Sequence, residues 1–153
     1  MKKRCYFKHV DRIKQALARN AQVRNFKPTL YQSRTWFKIL NSHVFNNTLK
    51  IPSMTVARRK EIMGQCTASW DARVLGRKGK WNQRKIPYSN PTISYQIDMH
   101  HRFDTWRDFL ETMAHEMVHL YQMTVLMDPY ANHNKHFFRF RNKFKKFGLN
   151  LTR

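Results

Sequence analysis

The residues in this chain best suited to chemistry are His115, Glu116 and His119, in the run His115-Glu116-Met117-Val118-His119. On a helix, positions four apart project from one face, so the two imidazoles can share one metal ion, zinc by ligand type. Glu116 then lies beside that ion, where it can hold a water and take its proton. The five-residue pattern also occurs in unrelated helices, as two histidines and a glutamate on a solvated face. Here its setting is different. Trp106, Leu110, Met113, Met117, Leu120 and Tyr121 recur at three- and four-residue spacing, which predicts an amphipathic helix from Thr105 to about Met127. The polar cluster interrupts that apolar stripe, with Ala114 and Val118 leaving room around it. Thr105 followed by Asp108 has the form of a capping box that starts the helix.

A catalytic zinc needs three protein ligands and an open position for water. No glutamate follows His119, which removes the design in which a later glutamate completes the site. A Gly and a His three and six residues past the second histidine are also missing, since Gln122 and Val125 stand there. Asp128, His133 and His136 remain. Asp128 precedes proline in a turn, His133 lies in a loop, and His136 opens the last helix. His43, His100 and His101 read as packing, surface or supporting residues.

Other elements must position this cluster. A short amphipathic helix is expected over residues 8–21, with Val10, Ile13 and Leu17 as its stripe. After Pro28, a second helix is expected from about Thr29 or Ser33 to Phe45, burying Leu30, Phe37, Leu40 and Val44. Asn46-Asn47 is a turn signal. The period then changes to two: residues 53–58, 65–70 and 92–97 read as strands, the last with strict alternation. We expect Thr92–Ile97 to be an edge strand able to pair with an extended peptide. Residues 71–91 form a loop or a wide hairpin arm. Asp128-Pro129 forces a turn. A last helix buries Phe137, Phe140, Phe144 and Phe147 and ends at Gly148. The result is an α+β chain of one domain, residues 1–153, with a core over about 29–148 and a basic N-terminal helical extension over 1–28.

The chain has 153 residues and a net charge of +21, with 41% apolar residues, enough to build one core. Six of the nine acidic residues (Asp98, Asp104, Asp108, Glu111, Glu116 and Asp128) lie on or near the metal helix. The flanking segments are almost purely basic. High charge of either sign aids solubility, but a one-sided excess of this size points to an anionic partner, nucleic acid before membrane. Arg73, Arg77, Lys78, Lys80, Arg84 and Lys85 interleave with Trp81 and Tyr88, a pattern suited to tracking a phosphate backbone while bases stack. Arg141, Lys145 and Lys146 on the last helix are the other expected DNA contacts. No apolar run approaches membrane-span length, and the basic N-terminus lacks the apolar stretch of a secretory signal. Cys5 and Cys66 form neither a disulfide framework nor a metal ribbon, so a cytoplasmic location with reduced thiols is expected.

His-Glu-Met-Val-His followed by His133-Asn134-Lys135-His136-Phe137 resembles the SprT-like (Spartan-type) zinc metalloproteases, whose third ligand is the histidine of a His-Gly-x-x-Phe motif. The resemblance implies His133 as third ligand, with Asn134 in place of the glycine as a residue tolerated at positive φ. It extends more loosely over residues 30–148 and implies a minimal zincin-like fold: N-terminal helices, a small three-stranded sheet, the metal-binding helix and a C-terminal helix. The C-terminal zinc ribbon of many members has no counterpart in these cysteines. His136 also stands where the family often has an acidic residue. The family's activity implies a Zn2+-dependent endopeptidase acting on DNA-bound or DNA-crosslinked proteins in the cytoplasm. It would be nucleoid-associated, or in a host cell if a phage encodes the chain. Tyr95, Tyr130 or His136 would complete the oxyanion site. The competing expectation is a basic nucleic-acid-binding or structural protein with an architectural zinc. A metal-dependent nuclease fits less well, because such sites gather carboxylates for hard ions.

Overall fold

The computed structural model describes residues 12–70, 93–128 and 131–152. The fold is mixed α and β. Residues 12–19 form α1, burying Ile13 and Leu17; Val10 lies outside the described residues. α2 spans Leu30–Val44 and starts with a complete capping box. Thr29 Oγ1 accepts the Gln32 amide at 3.1 Å, and Gln32 Oε1 accepts the Thr29 amide at 3.0 Å. Phe37, Leu40 and Val44 face the core as expected, but Leu30 at the first position is 38% exposed. Ser33, in the same first turn, is the residue that turns inward instead.

The central sheet has the strand order β2-β4-β3, formed by Ser53–Ala57, Ile93–His100 and Gly64–Trp70. β2 runs parallel to β4 with Met54 opposite Ile97, and β3 runs antiparallel to it with Cys66 opposite Ile97. The alternating strand is therefore central, not an edge, and runs three residues further than its pattern, to His100. Its charged inward residue explains the extension. Asp98 is buried, and its Oδ1 accepts from Gln96 at 2.6 Å and from Arg59 at 3.0 Å, with Thr55 as a third donor. A carboxylate satisfied by three donors can stay inside a sheet. A second, two-stranded sheet was not foreseen: β1 (Arg24–Phe26) pairs antiparallel with β5 (Phe103–Thr105). Each has three residues, too short to show a period of two.

α3, Trp106–Thr124, is the spine. Thr105 Oγ1 caps it by accepting the Asp108 amide at 3.0 Å, while the return bond of the expected box is not formed. Phe109, Leu110, Met113, Met117 and Val118 are fully buried. The helix ends before Met127, where φ is +56° and the backbone turns. The last helix is two short ones, α4 (Lys135–Phe138) and α5 (Arg141–Lys145), with a turn between them. Its phenylalanines are buried as expected, and Phe140 and Phe144 pack with Phe45, whose ring lies 5.0 Å from that of Phe140. Gly148, at φ +82°, reverses the chain so that Leu149 and Leu151 return to the core. No described helix is long and apolar enough to cross a membrane.

Candidate metal centre

α3 presents His115 and His119 one turn apart, and the loop before α4 brings His133 to them. The three Nε2 atoms form a triangle with sides of 3.0, 3.1 and 3.1 Å. The other nitrogens of two of these rings explain what the triangle is for. His115 Nδ1 faces the Thr152 carbonyl at 2.9 Å, and His119 Nδ1 faces Gln122 Oε1 at 3.1 Å. A carbonyl only accepts, so Nδ1 of each ring carries the proton and each Nε2 is left with a lone pair. Two such atoms cannot hydrogen-bond to each other. A cation is the partner that satisfies them, and the three histidines lie close enough to bind a metal ion. His136, the competing ligand, is not part of this group.

Burial lowers the basicity of both helix histidines. The His115 pKa falls from 6.5 to about 4, through burial first and then the neighbouring His119, and His119 moves in the same direction. Neutral imidazole is the form that binds metal, so the site resists protonation.

Several supporting residues were not apparent from spacing. Gln122 completes a relay: its amide nitrogen donates to the Asn132 carbonyl at 2.9 Å and to Asn134 Oδ1 at 3.3 Å, turning its oxygen toward His119. Asn134 is not at positive φ, as its comparison with glycine suggested. It has φ −107° and caps α4, accepting the amides of His136 and Phe137 at 3.0 and 3.3 Å. Its identity follows from side-chain capping, not from backbone strain. Phe137 is fully buried, and its ring lies 4.7 to 4.9 Å from the three histidine rings. The four-residue step from His133 to Phe137 therefore places an apolar floor under all three ligands.

Glu116 is buried on the adjoining side of α3, with 6% of its surface exposed. Burial pushes its carboxyl up from 4.5 to about 7, and the Cys66 backbone N–H works against that shift. β3 therefore passes directly over the carboxylate. Gly64 makes the approach possible: a Cβ there would lie 2.7 Å from Thr112 Cγ2 and 3.3 Å from Glu116 Cγ. Cys66 is a free thiol beside this carboxylate, and burial raises its pKa far above the ordinary value. It stays protonated and unreactive.

Two clefts flank the cluster. One, of about 320 Å3, lies between Gly64, Gln65 and Cys66 of β3 and His115, His119 and His133. The other, of about 450 Å3, runs toward the start of α3 and is lined by Asp104, Asp108, Glu111 and Glu116. Tyr95 and His136 line neither cleft, and Tyr130 lies outside the described residues. Arg73, Arg77, Lys78, Lys80, Trp81, Arg84 and Lys85 also lie outside them. Arg141 and Lys145 on α5 and Lys146 just after it are exposed, and the Arg141 guanidinium rests 4.6 Å from the centre of the Phe138 ring. No family model and no curated protein sequence matches this chain.

Proposed function

We propose that the chain is a zinc-dependent endopeptidase of the SprT-like kind, acting on proteins bound or crosslinked to DNA. The observation that carries this reading is the convergence of three imidazole Nε2 atoms beside one buried carboxylate at an open cleft. A tetrahedral zinc about 2.0–2.1 Å from each nitrogen holds its ligands roughly 3.3 Å apart, within a few tenths of an ångström of this triangle. Imidazole donors without a carboxylate ligand suit zinc over magnesium or calcium. His115, His119 and His133 would hold it. Zinc supplies a Lewis acid that lowers the pKa of water and polarises a carbonyl.

The chain's own residues do the rest. Glu116 takes a proton from the attacking water on a carboxylate oxygen and delivers it to the leaving amine. A pKa raised toward 7 suits both steps. The Cys66 N–H and the Gly64 close approach fix that carboxylate in place. Among the described residues β3 pairs with β4 on one side only, and its other edge lies along the smaller cleft, where an extended substrate could add. The acidic larger cleft favours a basic stretch of substrate, the composition of many DNA-bound proteins. An architectural zinc would be closed by a fourth protein ligand. Among the described residues the cluster has three, and His133 is exposed.

The test is Glu116→Gln, assayed on a basic protein bound to duplex DNA. The variant should retain one zinc per chain and lose cleavage by at least about a hundredfold, the low end of a general base's contribution. Wild-type rates in the variant would remove Glu116 as the base, and no metal-dependent cleavage by the wild type would leave the architectural reading standing.

A further inference from the structure

A separate cavity of about 170 Å3, sharing no lining residue with the two clefts beside the histidine cluster, is lined by Tyr121, Leu126, His136, Arg139, Phe140 and Lys143. It carries three nitrogen donors of potential or fixed positive charge and no carboxylate. His136, Arg139 and Lys143 follow at steps of three and four, which puts them along one side of the α4–α5 segment. Neither Arg139 nor Lys143 forms an ion pair among the described residues. The Lys143 ammonium is held 5.1 Å from the centre of the Phe140 ring. His136 Nδ1 is buried and has no hydrogen-bond partner there. A buried polar nitrogen left without a partner is costly. The same histidine is absent from the metal cluster, so its placement needs another explanation.

We propose that this cavity seats a phosphate group of the nucleic-acid backbone. Imidazole, guanidinium and ammonium groups around an aromatic wall can donate to both non-bridging oxygens of a phosphodiester, and no lining carboxylate opposes its charge. Guanidinium beside ammonium is a common way to hold phosphate. The position also orients the partner, since α4 follows directly from the loop carrying His133. A strand anchored here would hold its bound protein close to the cleft. The inference rests on nucleic acid as the partner, but not on peptide hydrolysis.

The test titrates the zinc-loaded protein with inorganic phosphate, following the amide resonances of residues 136–143 by NMR, with acetate at equal ionic strength as comparator. Phosphate should produce a saturable shift that acetate does not, and a short DNA duplex should displace it. Arg139→Ser with Lys143→Ser should weaken the phosphate response at least tenfold. It should also lower the slope of log K against log salt for duplex binding by about one, as for one phosphate lost. Removing the same charge from α2, Arg34→Ser with Lys38→Ser, should leave the phosphate response intact. No phosphate shift, or an equal one with acetate, overturns the proposal. Phosphate binding that duplex does not displace overturns the backbone as its source and assigns the cavity to a small phosphate ester. Salt-dependent duplex binding unchanged in the Arg139/Lys143 variant keeps DNA as partner but removes this contact. Loss of cleavage in Glu116→Gln bears on none of these readouts, so the two readings fail separately.

Discussion

At the scale of single residues, Glu116 is the side chain whose chemistry and stability conflict most. In the unfolded chain its carboxyl ionises near the ordinary 4.5, while burial holds the proton on to about 7 in the folded one. Its contribution to stability is therefore full below 4.5 and is lost as pH rises through about 7. His115 acts in the opposite direction, since its pKa falls from 6.5 to about 4, so stability declines as pH drops through that window. Comparing metal-free wild type with metal-free Glu116→Gln cancels the histidines. The variant should gain on the wild type between pH 4.5 and 7, and stay more stable above that by up to about 3 kcal/mol, at 1.36 kcal/mol per pKa unit. Urea denaturation across that range measures it, and parallel curves would show that the carboxylate is not buried in solution. The third ligand is tested at the same scale. His133→Ala should lower zinc content, whereas His136→Ala should keep it; the reverse would move the ligand role to His136.

At the scale of elements, the centre depends on how closely β3 can lie against α3. Gly64 permits that contact, and Gly64→Ala forces the new methyl against Thr112 Cγ2. Overpacking of this kind costs about 1–3 kcal/mol. We expect such a loss in thermal or urea unfolding, and a larger proportional fall in cleavage because the Cys66 N–H is displaced from Glu116. Thr112→Ser in the same chain removes the clashing methyl and should restore much of both. An unaltered Gly64→Ala protein would mean the strand has slack. This contact also shows where reading the sequence stops. His115, Glu116 and His119 were legible because an i, i+4 step on an apolar-periodic helix fixes their geometry locally. Helix α2 and the alternation of β4 were legible for the same reason. Gly64 and the Thr152 carbonyl act across gaps of many residues, and no local period encodes them; Gln122 sits one turn from His119, but the groups that aim it, on Asn132 and Asn134, lie outside the helix. The edge role of β4 was misread because alternation reports two unlike faces, and says nothing of how many neighbours a strand has. His133 was selected over His136 by resemblance; its geometric reason, Phe137 beneath three imidazoles, became visible only in three dimensions.

At the scale of the whole molecule, charge is sorted by place. The net charge is +21, yet the larger cleft is lined by Asp104, Asp108, Glu111 and Glu116. Such a field repels phosphate from the cleft and admits cationic peptide, so under the proposed function DNA and a DNA-bound protein would be directed to different surfaces. The basic surfaces should then account for affinity without sequence preference. Each phosphate neutralised releases counterions and adds about 0.9 to the magnitude of the slope of log K against log salt for duplex DNA. Replacing Arg73, Arg77, Lys78, Lys80, Arg84 and Lys85 by serine removes six cations. It should lower the slope by several units of that size, leave zinc content unchanged, and reduce cleavage of a DNA-bound protein more than cleavage of a free basic peptide. Equilibrium binding at a series of salt concentrations measures the first effect, and parallel cleavage assays the second. A slope that stays flat in the wild type, or is unchanged by the substitutions, would separate the charge from DNA and point to an acidic protein as the partner. Equal loss of cleavage on both substrates would instead place these cations in support of the fold.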